Sequence, residues 1–93
     1  MIPSYRIKKR YILVEHASNL EEKIKEKYIY FFGFFDFSKA KIKIIFSNDK
    51  FDLISVNRKC IYKLIFVLYF LKTRILKIYK TIKEFKKEYN LSF

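Results

Sequence analysis

The sequence predicts an α+β fold, a ferredoxin-like or RRM-like sandwich with the element order β-α-β-β-α-β-α. Three observations support this prediction. Four short segments have strand composition, three segments have helical hydrophobic periodicity, and the two kinds follow each other in that order. The simplest packing is one antiparallel sheet covered on one face by two helices, with the last helix added. Residues 1–9 are predicted to form a basic arm and residues 10–93 a single domain.

The first strand and the first helix are predicted from residue types near the start of the chain. Residues 10–16 (RYILVEH) are rich in β-branched and aromatic residues. Ser18 and Glu21 match a capping box at the start of a helix. Gly33, the only glycine, is placed to end that helix in a left-handed conformation. The inward face of the helix carries Leu20, Ile24 and Tyr28.

A hairpin and a central helix are predicted next. Apolar residues alternate with lysines around residues 41–46, and the turn residues SNDK separate this strand from a second one, residues 51–56. Asn57 is then placed to cap an apolar helix, residues 58–71. Its apolar character on most sides predicts a central position in the core.

The end of the chain predicts a fourth strand and a last helix. Residues 73–79 (TRILKIY) have strand composition, and Thr81 with Glu84 matches a second capping box. The inward face of the last helix is predicted to carry Ile82, Phe85 and Tyr89.

The composition indicates a folded protein with a polyanionic partner. The 93 residues are 52% hydrophobic and 20% aromatic, which is enough apolar material for a modest core. The 21 Lys and Arg against 9 Asp and Glu give a formal net charge of +12, which favours a nucleic acid as partner. The alternative is codon bias from an AT-rich genome, with the lysines spread over a solvated surface.

Residue counts exclude several classes of protein. One Cys excludes an internal disulfide and predicts a reducing, intracellular setting. One Cys and one His cannot build a Cys₄ or Cys₂His₂ zinc site. The basic first ten residues predict no signal peptide. The longest apolar run, residues 64–71, is shorter than the about 20 residues of a membrane span.

Signals for catalysis are weak. His16, the only histidine, lies at the end of the first strand, where a partly buried or edge histidine is favoured over a general base. Cys60 falls in an apolar helix, which favours a small hydrophobic residue over a nucleophile. The acidic residues are scattered, and one glycine cannot make a Gly-rich phosphate loop. The chain is therefore predicted not to be an enzyme.

Basic clusters give the stronger signal. The arm, the start of the apolar helix and the surroundings of the fourth strand each carry one. Their members are Arg6, Lys8, Lys9 and Arg10; Arg58 and Lys59; and Lys72, Arg74, Lys77 and Lys80. The ferredoxin-like topology is expected to place the arm and the third cluster on one surface. Such cations contact phosphates without distinguishing bases.

The aromatic segment YIYFFGFFDF, residues 28–37, is the nearest match to the RNA-binding strand motif of RRM domains. It is predicted to span a helix end and a strand start rather than an inner strand. Core packing is therefore favoured over base stacking, and RNA is expected to be bound by shape and charge.

The string RIKKRYILVE, residues 6–15, resembles the opening of the processing-of-precursor-five subunit family of ribonuclease P and ribonuclease MRP. The similarity continues in order through Gly33, the DLISVNRK hairpin strand with its apolar helix, the Thr81-Ile82 helix start and KEYN near the C-terminus. It covers nearly the whole chain.

The resemblance implies a non-catalytic RNA-binding subunit. In that family the RNA removes the 5′ leader of precursor tRNA with its own bound Mg²⁺, and the protein binds no cofactor. The implied partners are ribonuclease P or MRP RNA, a TIM-barrel-like protein subunit and, in eukaryotes, a small paralogue, with precursor tRNA contacted indirectly. The location would be the nucleus or nucleolus in a eukaryote and the cytoplasm in an archaeon. Arg6, Lys8, Lys9, Arg10, Arg58 and Lys59 match basic positions of the family.

The resemblance also separates the aromatic residues by role. Tyr11 matches a family tyrosine and is expected to pack. Exposed aromatic residues on the second predicted helix are expected to serve a protein partner.

Two other functions remain open. One is a small ferredoxin-like, metal-dependent endonuclease of the CRISPR-adaptation type, although such enzymes place an acid where His16 stands. The other is a basic ribosomal protein of similar size.

Overall fold

Four strands form one antiparallel sheet in the computed structural model, which describes residues 8–89. The strands are β1 (Lys9–Glu15), β2 (Lys43–Ser47), β3 (Phe51–Asn57) and β4 (Ile75–Tyr79). Their order across the sheet is β2-β3-β1-β4, and every neighbouring pair is antiparallel. The predicted fold class, an α+β fold compatible with a ferredoxin-like sandwich, is confirmed.

The helices are α1 (Leu20–Phe32), α2 (Phe34–Ala40), α3 (Ile61–Phe70) and α4 (Ile82–Tyr89), and a 3₁₀ turn (Arg58–Cys60) leads into α3. The main core lies between α1, α3 and one face of the sheet. The largest side chains of this core are fully buried because each helix turns one apolar face to the strands. They include Ile12, Ile24, Tyr28, Ile54, Leu64 and Leu68. No helix within residues 8–89 is long and apolar enough to cross a membrane.

Helix α4 packs on the opposite face of the sheet. Phe85 is completely buried there, in a second cluster with Leu13, Leu53 and Tyr79. The Tyr79 hydroxyl donates to a Glu88 carboxylate oxygen at 2.9 Å, which ties β4 to the last turn of the helix. The sheet is therefore covered on both faces.

The segment after Gly33 corrects one prediction. Residues 34–40 form α2 instead of the start of a strand, and β2 begins only at Lys43. Gly33 ends α1 with φ 89° and ψ 160°, a combination that is essentially restricted to glycine, rather than in the predicted left-handed helical region. Its carbonyl oxygen then accepts from the Phe37 N–H, which starts the new helix.

A partly buried hydrogen-bond network holds α2 against the other helices. The hydroxyl of the fully buried Tyr28 donates to Asp36 at 2.6 Å, and the Lys63 ammonium donates to the other Asp36 oxygen at 2.8 Å. The hydrogen bond from Lys63 lowers the pKa of Asp36, and burial together with the Asp36 hydrogen bond raises the pKa of Tyr28. Asp36 therefore joins α2 to both α1 and α3.

The predicted helix caps have mixed outcomes. Thr81 caps α4, because its Oγ1 accepts from the Glu84 N–H at 3.3 Å. Asn57 Oδ1 accepts from the Lys59 N–H at 3.1 Å, so the second cap is also confirmed. The capping box at Ser18 is wrong: Asn19, in the left-handed region at φ 54°, precedes α1, and no side chain caps it.

Candidate nucleic-acid interface

One end of the sheet brings together two basic clusters that are distant in sequence. The Arg58 N–H donates to the carbonyl oxygen of Lys8 at 2.8 Å, and Lys9 is paired with Asn57 across β1 and β3. Arg58 and Lys59 therefore lie beside the end of the predicted arm. Arg6 lies outside the described residues.

The short segment between β4 and α4, Lys80 and Thr81, lies at the same end of the sheet. Tyr11 pairs with Tyr79 across β1 and β4, so the chain leaves β4 next to the start of β1. An open groove of about 580 Å³ runs between the two segments. Its basic lining residues are Lys8, Lys9, Arg10, Lys80 and Lys83.

Three further lysines complete this surface, and sequence analysis missed them. Lys39 contributes its carbonyl oxygen to a hydrogen bond from the Asn57 side chain at 3.1 Å. Lys43 is paired with Ser55 at the start of β2, and Lys41 lies between the two. The antiparallel hairpin register was the signal for them, because it places the start of β2 beside the end of β3. Lys83 was also missed.

We call this surface the basic end; its members are Lys8, Lys9, Arg10, Lys39, Lys41, Lys43, Arg58, Lys59, Lys80 and Lys83. Within residues 8–89 none of these cations forms an ion pair. The nearby Glu84 carboxylate accepts from the backbone N–H of Lys80 at 3.4 Å. The positive charge of the basic end is therefore largely uncompensated, which favours binding of a polyanion.

The opposite end of the sheet is richer in acids. The end of β1, the turn between β2 and β3 and the start of α1 meet there. The acidic residues are Glu15, Glu21, Glu22, Asp49 and Asp52. Lys50, Lys72 and Arg74 also lie at this end, so the two ends differ in their balance of charge, with the excess of cations at the basic end. This difference follows from strand order and is not visible in the linear sequence.

The predicted third cluster is split by β4. Lys80 belongs to the basic end, whereas Lys72 and Arg74 precede β4 at the other end, where the Arg74 carbonyl oxygen accepts from the Glu15 N–H. Arg74 and Lys80 are six extended residue steps apart, roughly 20 Å. Lys77 donates to Glu88 at 2.8 Å, and this hydrogen bond raises the pKa of Lys77. Its charge is therefore already paired with that of a carboxylate.

The aromatic segment is helical and divides between core and surface. Phe31, Phe32 and Phe37 pack against the main core, as predicted. Tyr30, Phe34 and Phe35 are exposed, which was not predicted. Helix α3 carries further exposed rings at Tyr62, Phe66, Tyr69 and Phe70.

Of the two residues considered for catalysis, His16 lies at the end of the sheet opposite the basic end, and Cys60 directly follows Lys59 of the basic end. His16 Nδ1 is 3.0 Å from Asp52 Oδ1, and the Ser47 hydroxyl donates to the same carboxylate oxygen. Asp52 is 2% exposed, so these two partners satisfy a buried acid at the end of the sheet. Cys60 is buried in the main core, where it packs as a small apolar residue. Residues 8–89 hold no group of three or more His, Cys, Asp or Glu residues arranged for a metal ion.

Comparison with known proteins does not assign this chain to a family. A scan against protein-family models and a search of curated proteins found no match to this chain. The arrangement itself is a strongly cationic surface at one end of an αβ sandwich.

Proposed function

We propose that the chain is an RNA-binding protein subunit of ribonuclease P or ribonuclease MRP that stabilises the catalytic RNA for removal of the 5′ leader from precursor tRNA. The observation that carries the proposal is the basic end: it holds ten cations without an ion pair in the described part of the chain, and five of them line a groove of about 580 Å³. A surface of this kind neutralises closely spaced phosphates and supplies no group for bond cleavage.

The resemblance of residues 6–15 and of the DLISVNRK junction supports the choice of complex. These two strings meet at the basic end, because Lys8 and Arg58 share a backbone hydrogen bond. In this proposal the Mg²⁺ ions belong to the RNA and the polypeptide does not take part in cleavage. The protein works inside the cell, in the nucleus or nucleolus of a eukaryote or in the cytoplasm of an archaeon.

Exposed aromatic residues of the second predicted helix, α3, were expected to serve a protein partner, and the exposed rings of α1 and α2 also suit one. Tyr30, Phe34 and Phe35 lie at adjacent helix ends, and the Lys39 ammonium lies 4.6 Å from the Phe35 ring centroid. Large exposed aromatic groups are typical of protein interfaces. In this proposal they receive the TIM-barrel-like subunit or the small paralogue of the same complex.

The deciding experiment is to sequence the RNA that copurifies with a tagged full-length chain. We expect one non-ribosomal RNA, ribonuclease P or MRP RNA, together with a few proteins. Recovery of a whole ribosomal subunit would identify a ribosomal protein instead. Metal-dependent cleavage of nucleic acid by the purified chain alone would contradict the non-catalytic role.

The salt dependence of binding tests the charge mechanism on the purified protein. With about four phosphates engaged, a slope of roughly −0.7 to −0.9 per phosphate predicts about tenfold weaker RNA binding at 0.2 M than at 0.1 M salt. An affinity that does not change over this range would rule out a surface that acts by neutralising phosphates.

A further inference from the structure

A surface hollow with both aromatic and basic residues lies at the far end of the sheet from the basic end. The last turn of α3 and the turn that follows it enclose an open hollow of about 590 Å³, a volume within the usual range for small-ligand sites. One wall is aromatic, formed by Phe66, Tyr69 and Phe70, and the other consists of Lys72, Thr73 and Arg74.

The aromatic wall presents rings to solvent. Tyr69 is 82% exposed, and Phe66 and Phe70 are each about half exposed. Phe66 and Phe70 pack against Phe31, with ring centroids 5.1 and 4.9 Å away. Exposed aromatic rings are suitable platforms for stacking nucleobases, and Tyr69 is the most exposed ring of this wall.

The opposite wall carries positive charge that no acid neutralises. Lys72 and Arg74 make no ion pair within the described range. The nearest acid along β1 is Glu15. Its neighbour Val14 points into the main core beneath the helices, so strand alternation turns Glu15 to the other face of the sheet. The Lys27 ammonium, 5.6 Å from the Phe70 centroid, adds a cation on the aromatic side.

We infer that this hollow binds an unpaired nucleotide of an RNA strand, with the base stacked on Tyr69 and the phosphate held by Lys72 and Arg74. A nucleotide matches both walls, because it combines a flat aromatic base with an anionic phosphate. An acidic peptide matches the charge but uses the flat exposed rings less well. The inference rests on the proposed function, and it adds a single-stranded contact to the phosphate contacts of the basic end.

The test compares two tyrosines of the same helix. Tyr62 is 83% exposed and lies outside the hollow, so Tyr62→Ala is a matched control for Tyr69→Ala. Both are made in a Lys9→Ala/Arg10→Ala background, which weakens the basic end. The probe is a short fluorescein-labelled oligouridylate, which forms no duplex. We expect Tyr69→Ala to weaken its binding about tenfold and Tyr62→Ala to leave it unchanged.

Two further measurements define the site. Lys72→Ala with Arg74→Ala is expected to reduce the salt slope of oligouridylate binding by about 1.4, that is 0.7 for each lost phosphate contact. Photocrosslinking with a 4-thiouridine probe is expected to label Tyr69. Equal effects of the two tyrosine variants would overturn the inference, as would binding of an acidic aromatic peptide, but not the oligonucleotide, at the hollow.

Failure of this inference is distinguishable from failure of the proposed function. A blunt RNA duplex, which has no unpaired nucleotides, tests the basic end alone. If Lys9→Ala/Arg10→Ala abolishes duplex binding and Tyr69→Ala leaves oligouridylate binding unchanged, only the nucleotide site at the hollow is rejected. Oligouridylate binding that depends on Tyr69, without any duplex binding at the basic end, would support the hollow and reject the proposed scaffold.

Discussion

The Arg58 N–H donates to the carbonyl oxygen of Lys8 at 2.8 Å, which fixes the end of the basic arm to the residue that follows β3. The hydrogen bond uses backbone atoms only, so the side chains of both residues remain available for phosphates. The start of β1 and the start of the 3₁₀ turn are therefore parts of one surface.

Replacing Lys9 and Arg10 by Ala is expected to weaken RNA binding with little change in melting temperature. Neither side chain is buried, and the removed charges stabilise the complex rather than the fold. Filter binding at several salt concentrations should show a slope reduced by roughly 0.7 to 0.9 for each lost phosphate contact. Lys23→Ala with Lys25→Ala, on the exposed side of α1, is the charge-matched control. A large fall in melting temperature would assign the pair a structural role instead.

Two lysines of one short segment are expected to behave differently. Lys80 lines the groove of the basic end, whereas Lys77 is paired with Glu88. Lys80→Ala should therefore weaken RNA binding severalfold, and Lys77→Ala should leave it nearly unchanged. The same filter assay checks both variants. Equal losses of RNA affinity in the two variants would mean that RNA also contacts β4 and that Lys77 belongs to the binding surface.

Asp36→Ala is expected to destabilise the fold by about 1–3 kcal/mol, because the buried Tyr28 hydroxyl loses its acceptor. Tyr28→Phe removes only the donor and leaves the partly exposed Asp36 paired with Lys63, so it should cost less, about 0.5–1.5 kcal/mol. Urea unfolding at neutral pH measures both. Asp49→Ala, in the exposed turn between β2 and β3, is the control and should be nearly neutral.

The contribution of Asp36 should depend on pH in one direction. Its pKa is lower in the folded chain than in the unfolded chain, so the stabilisation is complete above the ordinary aspartate pKa of about 3.9. It is lost as the pH falls through the lower folded-state value. The difference in unfolding free energy between the parent and Asp36→Ala should therefore shrink below about pH 4. A difference that grows in acid would contradict this assignment.

Backbone conformation alone should make Gly33 hard to replace. A Cβ at Gly33 meets no atom within 4 Å, yet φ 89° with ψ 160° is strained for any other residue. Gly33→Ala is expected to cost about 1–3 kcal/mol. Lys41, at φ 51°, is the converse case, and Lys41→Gly should stabilise by up to about 1 kcal/mol. Chemical denaturation of both variants is the check; a neutral Gly33→Ala would mean that the helix junction relaxes.

Phe85→Ala should cost about 3–5 kcal/mol, because Phe85 is completely buried between α4 and the sheet. Tyr89→Ala on the same helix removes a partly exposed ring and should cost clearly less. Guanidinium unfolding gives the two values, and binding of a hydrophobic dye reports whether Leu13 and Leu53 become exposed. Similar costs for both variants would mean that α4 is only loosely docked.

The sequence predicted elements more successfully than their contacts. Thr81 and Asn57 cap helices as expected because capping is local. Residues 34–40 were missed as a helix, because Tyr28, Lys63 and the special conformation of Gly33 hold that turn together and Lys63 lies 27 residues from Asp36. The position of α4 on the second face likewise depends on the cluster around Phe85.

The candidate site shows the same division. Arg58 was predicted as an RNA contact, but its position beside Lys8 depends on the pairing of β1 with β3. Lys77 and Lys80 were grouped because they are close in sequence, although strand alternation and Glu88 separate their roles. Assigning Lys43 to the basic end requires the register of the β2–β3 hairpin, and a count of charged residues does not give that register.

The unequal balance of charge between the two ends of the sheet gives the molecule an electric dipole moment in addition to its net charge of +12. In the field of an RNA, a dipole experiences a torque that turns its positive pole forward during diffusion. Collisions are then biased towards the productive orientation before any contact forms, which raises the association rate and makes it fall steeply with ionic strength. Replacing Glu21 and Glu22 by Lys would reduce this dipole moment while increasing the net positive charge. Stopped-flow association rates of this variant and the parent therefore separate the effect of orientation from that of overall attraction.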